Sequence, residues 1–119
     1  MGGKTILVVD DKKAIREIIG EILKKDSYEY ILCESGEKAL QHIGNINLLM
    51  TDFNMPGMNG AELARKAKQR DSKLPVIIIT SAPWDLPADH SADAVIEKPF
   101  KVERLREAIA KLLEGGFYG

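Results

Sequence analysis

The sequence contains no apolar stretch close to the ~20 residues that a membrane-spanning helix requires, so we expect no membrane contact. It has one cysteine, Cys33, which excludes an internal disulfide and fits a reducing compartment such as the cytoplasm. The formal net charge is only −1, which gives no support for nonspecific nucleic-acid binding. The histidines, His42 and His90, stand apart from the polar cluster described below, so we expect no zinc site there.

Apolar residues, by contrast, are plentiful. They make up 45% of the 119 residues, which is enough to build a sizeable core in one domain and leaves little room for two. We therefore predict a single domain over residues 1–119, with residues 1–4 and 115–119 frayed at its ends.

Short apolar runs alternate with amphipathic patterns along the chain. The runs predict strands over residues 5–10, 28–33, 46–52, 75–80 and 94–97. A first helical stripe is formed by Ala14, Ile15, Ile18, Ile19, Ile22 and Leu23. Later patterns predict a helix from the cap Ser35 to Gly44, one over 59–70, and a last one with Val102, Leu105, Ile109 and Leu112 inward. This alternation predicts an α/β fold, a doubly wound five-stranded parallel sheet with helices on both faces.

The connection between the fourth and fifth strands is the weakest part of this pattern. Residues 81–93 barely meet the ~10–12 residues that a parallel crossover needs, and Pro83 and Pro87 limit helix formation further. We expect a short or degenerate fourth helix of one or two turns. Trp84 either packs over this crossover, which we favour, or serves as an anchor for a partner.

Polar side chains follow four of the five predicted strands. They are Asp10 and Asp11, Asp52, Thr80 and Ser81, and Lys98. The carboxyl ends of parallel strands share one edge of the sheet, where ligands bind at the point at which strand order reverses. Right-handed crossovers and this convergence both require the first and third strands to be neighbours, which predicts the flavodoxin-like order 2-1-3-4-5.

Three carboxylates at one edge require a positive counterpart. A pair of them at ~4 Å costs on the order of 4 kcal/mol at an effective dielectric of 20. Lys98 supplies one charge, and a divalent cation would supply two more. Because Mg²⁺ prefers hard oxygen ligands and keeps several waters, it is the cation we expect. A carboxylate beside Mg²⁺ and a lysine can attack a phosphoryl group, so Asp52 is a candidate nucleophile.

Four segments, taken together in this order, resemble the response-regulator receiver domain of two-component signalling over essentially the whole chain. They are "ILVVDD", "LLMTDFNMPGMNG", "PVIIITS" and "EKPF". The resemblance implies that Asp52 is the phosphoacceptor. It also implies that Mg²⁺ is bound directly by Asp11, Asp52 and the Asn54 backbone carbonyl, and by Asp10 through water.

The same resemblance assigns roles to residues of the fourth and fifth strands. Thr80 would contact a phosphoryl oxygen, Lys98 would pair with the phosphoryl group, and the Lys98–Pro99 peptide would be cis. The implied partners are a sensor histidine kinase or phosphotransfer protein and an output protein that the sequence does not name. Receivers often carry an aromatic residue where this chain has Val95, and the segment 81–93 is shorter than usual. Both departures lie on the face that receivers commonly use for output.

Two other functions stay open at this point. A Mg²⁺-dependent phosphohydrolase with an aspartyl nucleophile, resembling the haloacid dehalogenase family, needs a second acid two residues after the nucleophile. Asn54 occupies that position and argues against it. A degenerate receiver that acts only as a binding module would lack a site residue, and none is missing.

Overall fold

The computed structural model describes residues 3–114, and a parallel sheet forms its centre. The strands are β1 (Thr5–Val9), β2 (Glu29–Cys33), β3 (Leu48–Asp52), β4 (Val76–Thr80) and β5 (Ala94–Glu97). They lie in the order β2-β1-β3-β4-β5, which confirms the predicted order. Each observed strand falls within the predicted run. Because Val9 pairs with Thr51, the carboxyl ends of β1 and β3 adjoin.

Residues 3–114 also contain four α-helices and two 3₁₀ segments. The helices are α1 (Lys13–Lys25), α2 (Gly36–Ala39), α3 (Gly60–Arg70) and α4 (Val102–Glu114). One 3₁₀ segment, Leu40–Asn45, continues α2, and the other, Pro83–Asp85, lies between β4 and β5. Among residues 3–114, no helix combines the length and the apolar character that crossing a membrane would take.

The two faces of the sheet bury separate clusters of apolar side chains. In β1, Ile6 and Val8 pack with buried residues of α1 and α4, including Leu23 and Leu105. The intervening Leu7 and Val9 pack on the other face with the apolar side of α3. Side chains alternate between the two faces of a strand, so a strand that is apolar at every position must be covered by other elements on both faces. This arrangement confirms the doubly wound prediction.

The crossover over 81–93 contains a single 3₁₀ turn, as expected from its length and prolines. The favoured interpretation of Trp84 was wrong, because this side chain is 74% exposed. Three residues of 3₁₀ helix are too few to bring an indole back onto the sheet. Leu86 and Ala92 pack against the core in its place.

The end of the crossover is fixed by Asp93. The backbone groups of Asp93 and Val76 are joined by a hydrogen bond from the Asp93 N–H to the Val76 carbonyl at 2.8 Å. The Val76 N–H in turn donates to Asp93 Oδ2 at 2.8 Å. Lys68 of α3 donates to the same oxygen at 2.7 Å. The start of β5 is thereby tied to both β4 and α3.

Two helical predictions need correction. The apolar stripe predicted for the first helix included too many residues, because Ala14 is exposed and Ile18 is 55% exposed. The helix predicted to begin at the cap Ser35 does begin there, since the Ser35 side chain accepts the Lys38 N–H at 3.2 Å. It tightens to 3₁₀ after one turn, so Gly44 lies within that segment. Fraying was predicted for residues 1–4 and 115–119, of which residues 1–2 and 115–119 lie outside the described residues.

Candidate phosphoacceptor site

Three carboxylates converge at the carboxyl edge of the sheet. Asp52 is the last residue of β3, and Asp10 and Asp11 directly follow β1, its neighbour in the sheet. One oxygen from each of the three lies within 4.8 Å of the others. Asp10 and Asp52 are buried, with relative exposures of 2% and 6%. Strand adjacency therefore brings together the acids that the sequence placed at strand ends.

Lys98 reaches this cluster from beyond β5. Its Nζ lies 3.0 Å from Asp52 Oδ1 and 3.8 Å from Asp10 Oδ2. Lys12 lies 3.9 Å from Asp11 Oδ1, but this lysine is largely exposed and its charge is screened by water. The cluster thus has one close, half-buried ammonium for its three carboxylates, so it retains an affinity for further positive charge. The Lys98–Pro99 peptide is cis, as the resemblance implied.

Asp10 is held by its surroundings on several sides. Its Oδ1 accepts the Lys12 N–H at 2.8 Å, and its own N–H donates to the Cys33 carbonyl at 3.1 Å. Burial raises the pKa of the Asp10 carboxyl, and the nearby Asp52 charge raises it further, while the Lys12 N–H and Lys98 oppose both effects. The charged form of this carboxyl is therefore costly in the absence of a cation.

Asp11 supplies the observation that tests the site for a metal. Its Oδ1 is buried and has no hydrogen-bond partner. Buried polar atoms are almost always hydrogen-bonded, so a buried oxygen without such a bond, on a carboxylate that belongs to this cluster, favours a bound ligand. The available donors are all oxygens, and neither histidine belongs to the cluster. This donor set fits Mg²⁺.

The turn after Asp52 is fixed by close backbone packing. A Cβ at Gly60 would overlap the Asp52 carbonyl oxygen and the Phe53 Cα, so only glycine fits there. The Gly60 N–H donates to the Phe53 carbonyl at 2.9 Å. Asn59 caps α3 by accepting the Glu62 N–H at 2.9 Å. The turn exposes Asn54.

Thr80 ends β4, the strand beside β3. It is 1% exposed, and its Oγ1 accepts the Ala82 N–H at 3.0 Å. Asp52 pairs with Ile79, so Thr80 stands one residue further toward the edge. Ser81 is exposed. The hydroxyl of Thr80 therefore lies at the junction between the acidic edge and the helix-poor crossover.

Arg16 is a site residue that the sequence patterns missed. Its Nη1 donates to the backbone carbonyl oxygen of Asp10 at 2.7 Å. The signal available in the sequence was a cation between Ile15 and Ile19, two residues of the predicted apolar stripe. The structure shows that Arg16 is half-buried there. Thr51 was missed as well: its hydroxyl donates to the Asp52 carbonyl at 2.9 Å.

An apolar groove of about 580 Å³ opens beside the cluster. It lies between α1 and the segment that follows β5, and we call it the α1 groove. Its lining includes Ile15, Ile18, Ile22, Lys98, Pro99 and Phe100. Ile18, which is 55% exposed, lines this groove together with Lys98, whose ammonium contacts Asp52.

Comparison with known proteins agrees with this geometry. The family model of the response regulator receiver domain matches residues 6–110. The chain is 36% identical to the chemotaxis protein CheY of Pseudomonas aeruginosa, over 92% of this chain and 95% of that protein. It is 33% identical to the two-component response regulator ARR5 of Arabidopsis thaliana, over 94% of this chain and 73% of that protein.

A solved structure shows the same fold. The response regulator protein TrrA of Thermotoga maritima, crystallised in complex with Mg²⁺-BeF, superposes with a TM-score of 0.84 at 36% identity. The match covers 92% of this chain and 99% of that one. With the sheet order, the acidic edge and the family match in agreement, the chain belongs to the response regulator receiver domains, the phosphate-accepting switches of two-component signalling.

Proposed function

We propose that Asp52 is the phosphoacceptor of this switch and that Mg²⁺ binds beside it. The observation that carries the proposal is the cluster of Asp10, Asp11 and Asp52 within 4.8 Å, with Lys98 at 3.0 Å from Asp52. Asp11 and Asp52 would hold the metal directly together with the Asn54 carbonyl, and Asp10 through water. When bound, Mg²⁺ supplies positive charge to the transferring phosphoryl oxygens.

The side chains of this chain account for the rest of the reaction. A carboxylate oxygen of Asp52 attacks phosphorus, the P–N bond of a phosphohistidine donor breaks, and the imidazole nitrogen keeps the electron pair. Lys98, already 3.0 Å from Asp52 Oδ1, would pair with a phosphoryl oxygen. Thr80 would donate its hydroxyl hydrogen to another. Burial of Asp52 limits the access of water to the acyl phosphate.

Intact mass spectrometry with acetyl phosphate tests this assignment. We expect the mass of one phosphoryl group to be added in the presence of Mg²⁺ and not in EDTA, and peptide mapping to place it on Asp52. Asp52→Asn should abolish the addition because an amide is a poor nucleophile. Asp71→Asn, an exposed acid after α3, is the matched control and should behave like the wild type. Phosphate mapped to Asp10 or Asp11 in the wild type would contradict the assignment.

The proposed phosphodonor is a sensor histidine kinase or phosphotransfer protein that docks at the α1 groove. Support comes from the exposure of Ile18 and from the position of the groove beside Lys98. Ile18→Gln should slow transfer from a protein phosphodonor and leave phosphorylation by acetyl phosphate unchanged. Leu32→Gln, at an apolar residue of β2 that is 37% exposed, is the control. Equal slowing with both donors would place the defect in the site itself.

We further propose that the chain catalyses only its own phosphorylation and dephosphorylation and controls an output protein. We also propose that residues 1–119 form a single domain. This domain would act in the cytoplasm and would contact neither nucleic acid nor a membrane. The free, buried thiol of Cys33 supports a reducing compartment. The phosphohydrolase alternative finds no support, because Asn54 stands where its second acid is needed. A purely binding role finds none either, since every acid of the cluster is present.

A further inference from the structure

Arg16 makes a contact with the acidic edge that the phosphorylation chemistry does not use. The guanidinium extends from α1 and donates from Nη1 to the backbone carbonyl oxygen of Asp10 at 2.7 Å. Arg16 is half-buried, so this bond is partly shielded from water. The oxygen it binds belongs to the peptide that joins Asp10 to Asp11. Arg16 therefore contacts the backbone of the cluster and not its carboxylates.

Asp10 is held at three points, and only one of them, its carbonyl oxygen, belongs to that peptide. The Asp10 N–H donates to the Cys33 carbonyl at 3.1 Å, and the Lys12 N–H donates to Asp10 Oδ1 at 2.8 Å. The bond from Arg16 fixes the third point, the carbonyl oxygen. A peptide unit is planar, so fixing its oxygen also fixes the direction of the Asp11 nitrogen and Cα. The direction of the Asp11 side chain depends on that plane.

We propose that Arg16 is a positioning residue for Mg²⁺ binding: its hydrogen bond to the Asp10 carbonyl aims the Asp11 carboxylate into the metal site. This inference rests on the proposed Mg²⁺ site. The carboxylate concerned carries the buried, unpartnered Oδ1, so it has no hydrogen bond of its own at that oxygen to hold it in place. Groups that orient metal ligands in this way typically change metal affinity by about 10–100-fold when they are removed.

The charge of Arg16 would act in the opposite direction to its hydrogen bond. A guanidinium near three carboxylates repels a divalent cation, so removing it should tighten Mg²⁺ binding if charge were its only effect. Loss of positioning should instead weaken binding. The sign of the change in Mg²⁺ affinity thus separates the two roles.

Calorimetric titration of the unphosphorylated full chain with MgCl₂ is the test. Arg16→Met keeps most of the aliphatic stem and removes both the charge and the donor. We expect its Mg²⁺ affinity to fall by about tenfold. The matched control is Arg70→Met, because Arg70 Nη1 donates to the backbone carbonyl of Leu40 at 2.8 Å, away from the cluster. Its Mg²⁺ affinity should equal that of the wild type.

Further measurements separate positioning from general stability. Urea unfolding in EDTA should show both methionine variants folded, and Arg16→Lys, which keeps a positive donor, should recover part of the Mg²⁺ affinity. If Arg16→Met does not fold, Arg16→Leu also lacks a hydrogen-bond donor, so it removes the same bond and the same outcomes apply.

Unchanged or tighter Mg²⁺ binding in a folded Arg16 variant that lacks a donor would overturn the inference, as would an equal loss in Arg70→Met. A wild type that binds Mg²⁺ but is not phosphorylated would refute the proposed function alone. A wild type that binds no Mg²⁺ would refute both.

Discussion

Lys98 and Asp52 are joined by a contact of 3.0 Å although the strands that carry them are not neighbours. Asp52 ends β3, Lys98 follows β5, and β4 lies between them. The lysine side chain therefore crosses the end of β4, where Thr80 is buried. A single ammonium thus connects the end of β3 with the segment that follows β5, the edge strand.

Replacing this lysine should impair switching more than folding. Lys98 is 26% exposed, so its ion pair with Asp52 is partly screened, and we expect Lys98→Ala to lose only about 1 kcal/mol of unfolding free energy in EDTA. Mg²⁺ should restore much of that loss, because it replaces the missing positive charge. Urea unfolding with and without Mg²⁺ measures both effects. Wholesale unfolding of the variant would show that the pair is primarily structural.

The raised pKa of Asp10 predicts how stability depends on pH when no metal is present. A carboxyl whose pKa is higher in the folded than in the unfolded chain binds more protons when folded. Its contribution therefore favours folding below 3.8, the ordinary pKa of an Asp carboxyl, and is lost as pH rises through the folded pKa. Asp10→Asn should remove this dependence and stabilise the metal-free chain at neutral pH.

Urea titrations in EDTA across the acidic range check that prediction. The control is Asp89→Asn, since Asp89 is exposed in the crossover and a change there should alter stability by less than about 0.5 kcal/mol. Although Asp10→Asn should stabilise the metal-free chain, it should weaken Mg²⁺ binding, because it removes one carboxylate of the proposed metal site. A metal-free Asp10→Asn chain less stable than the wild type at neutral pH would contradict the assignment of a burial cost.

Gly60 should tolerate no side chain. A methyl group there would overlap the Asp52 carbonyl and the Phe53 Cα, and backbone atoms at the end of a central strand cannot move aside cheaply. We expect Gly60→Ala to cost about 2–3 kcal/mol and to slow phosphorylation from acetyl phosphate. Gly44→Ala is the control, because a Cβ at Gly44 meets nothing within 4 Å. Equal effects of the two substitutions in urea unfolding would refute this account of the turn.

The crossover over 81–93 should respond to occupancy of the site. Thr80 Oγ1 accepts the Ala82 N–H at 3.0 Å, and a Thr80 hydroxyl turned toward a phosphoryl oxygen would lose that bond. Val95 is β-branched and short, so it cannot provide the aromatic movement that receivers commonly use. We therefore expect the crossover to change conformation and to form the output surface together with α4.

Trp84 provides the measurement, because it is 74% exposed within this crossover. Its fluorescence should change when Mg²⁺ and beryllofluoride are added together. The emission should stay constant with either alone and in Asp52→Ala. Unchanged emission at full occupancy, together with unchanged amide exchange over 81–93, would point to a different output face.

Most of the sheet and of the site could be predicted from the sequence because both depend on local patterns. Doubly covered strands need apolar residues at every position, and ligand-binding residues follow the strand ends, so Asp10, Asp52 and Lys98 were identifiable. Ile18 and Trp84 were misjudged because their burial depends on which element covers them. The contact of Arg16 with the Asp10 carbonyl was missed for a similar reason, since a bond to backbone leaves no complementary residue type in the sequence.

The bonds around Asp93 hold the crossover rigidly at its far end and leave its start free to move. Asp93 is tied to Val76 in both directions and to Lys68, so the far end of the crossover cannot follow a displacement at its start. Any motion that begins at Thr80 must be taken up before Asp93, by bending within residues 81–92. The displacement is then largest next to Thr80 and falls toward Asp93, and β5 beyond Asp93 keeps its register. A signal carried this way would be read as a change in the outline of the loop, with the sheet edge itself unmoved.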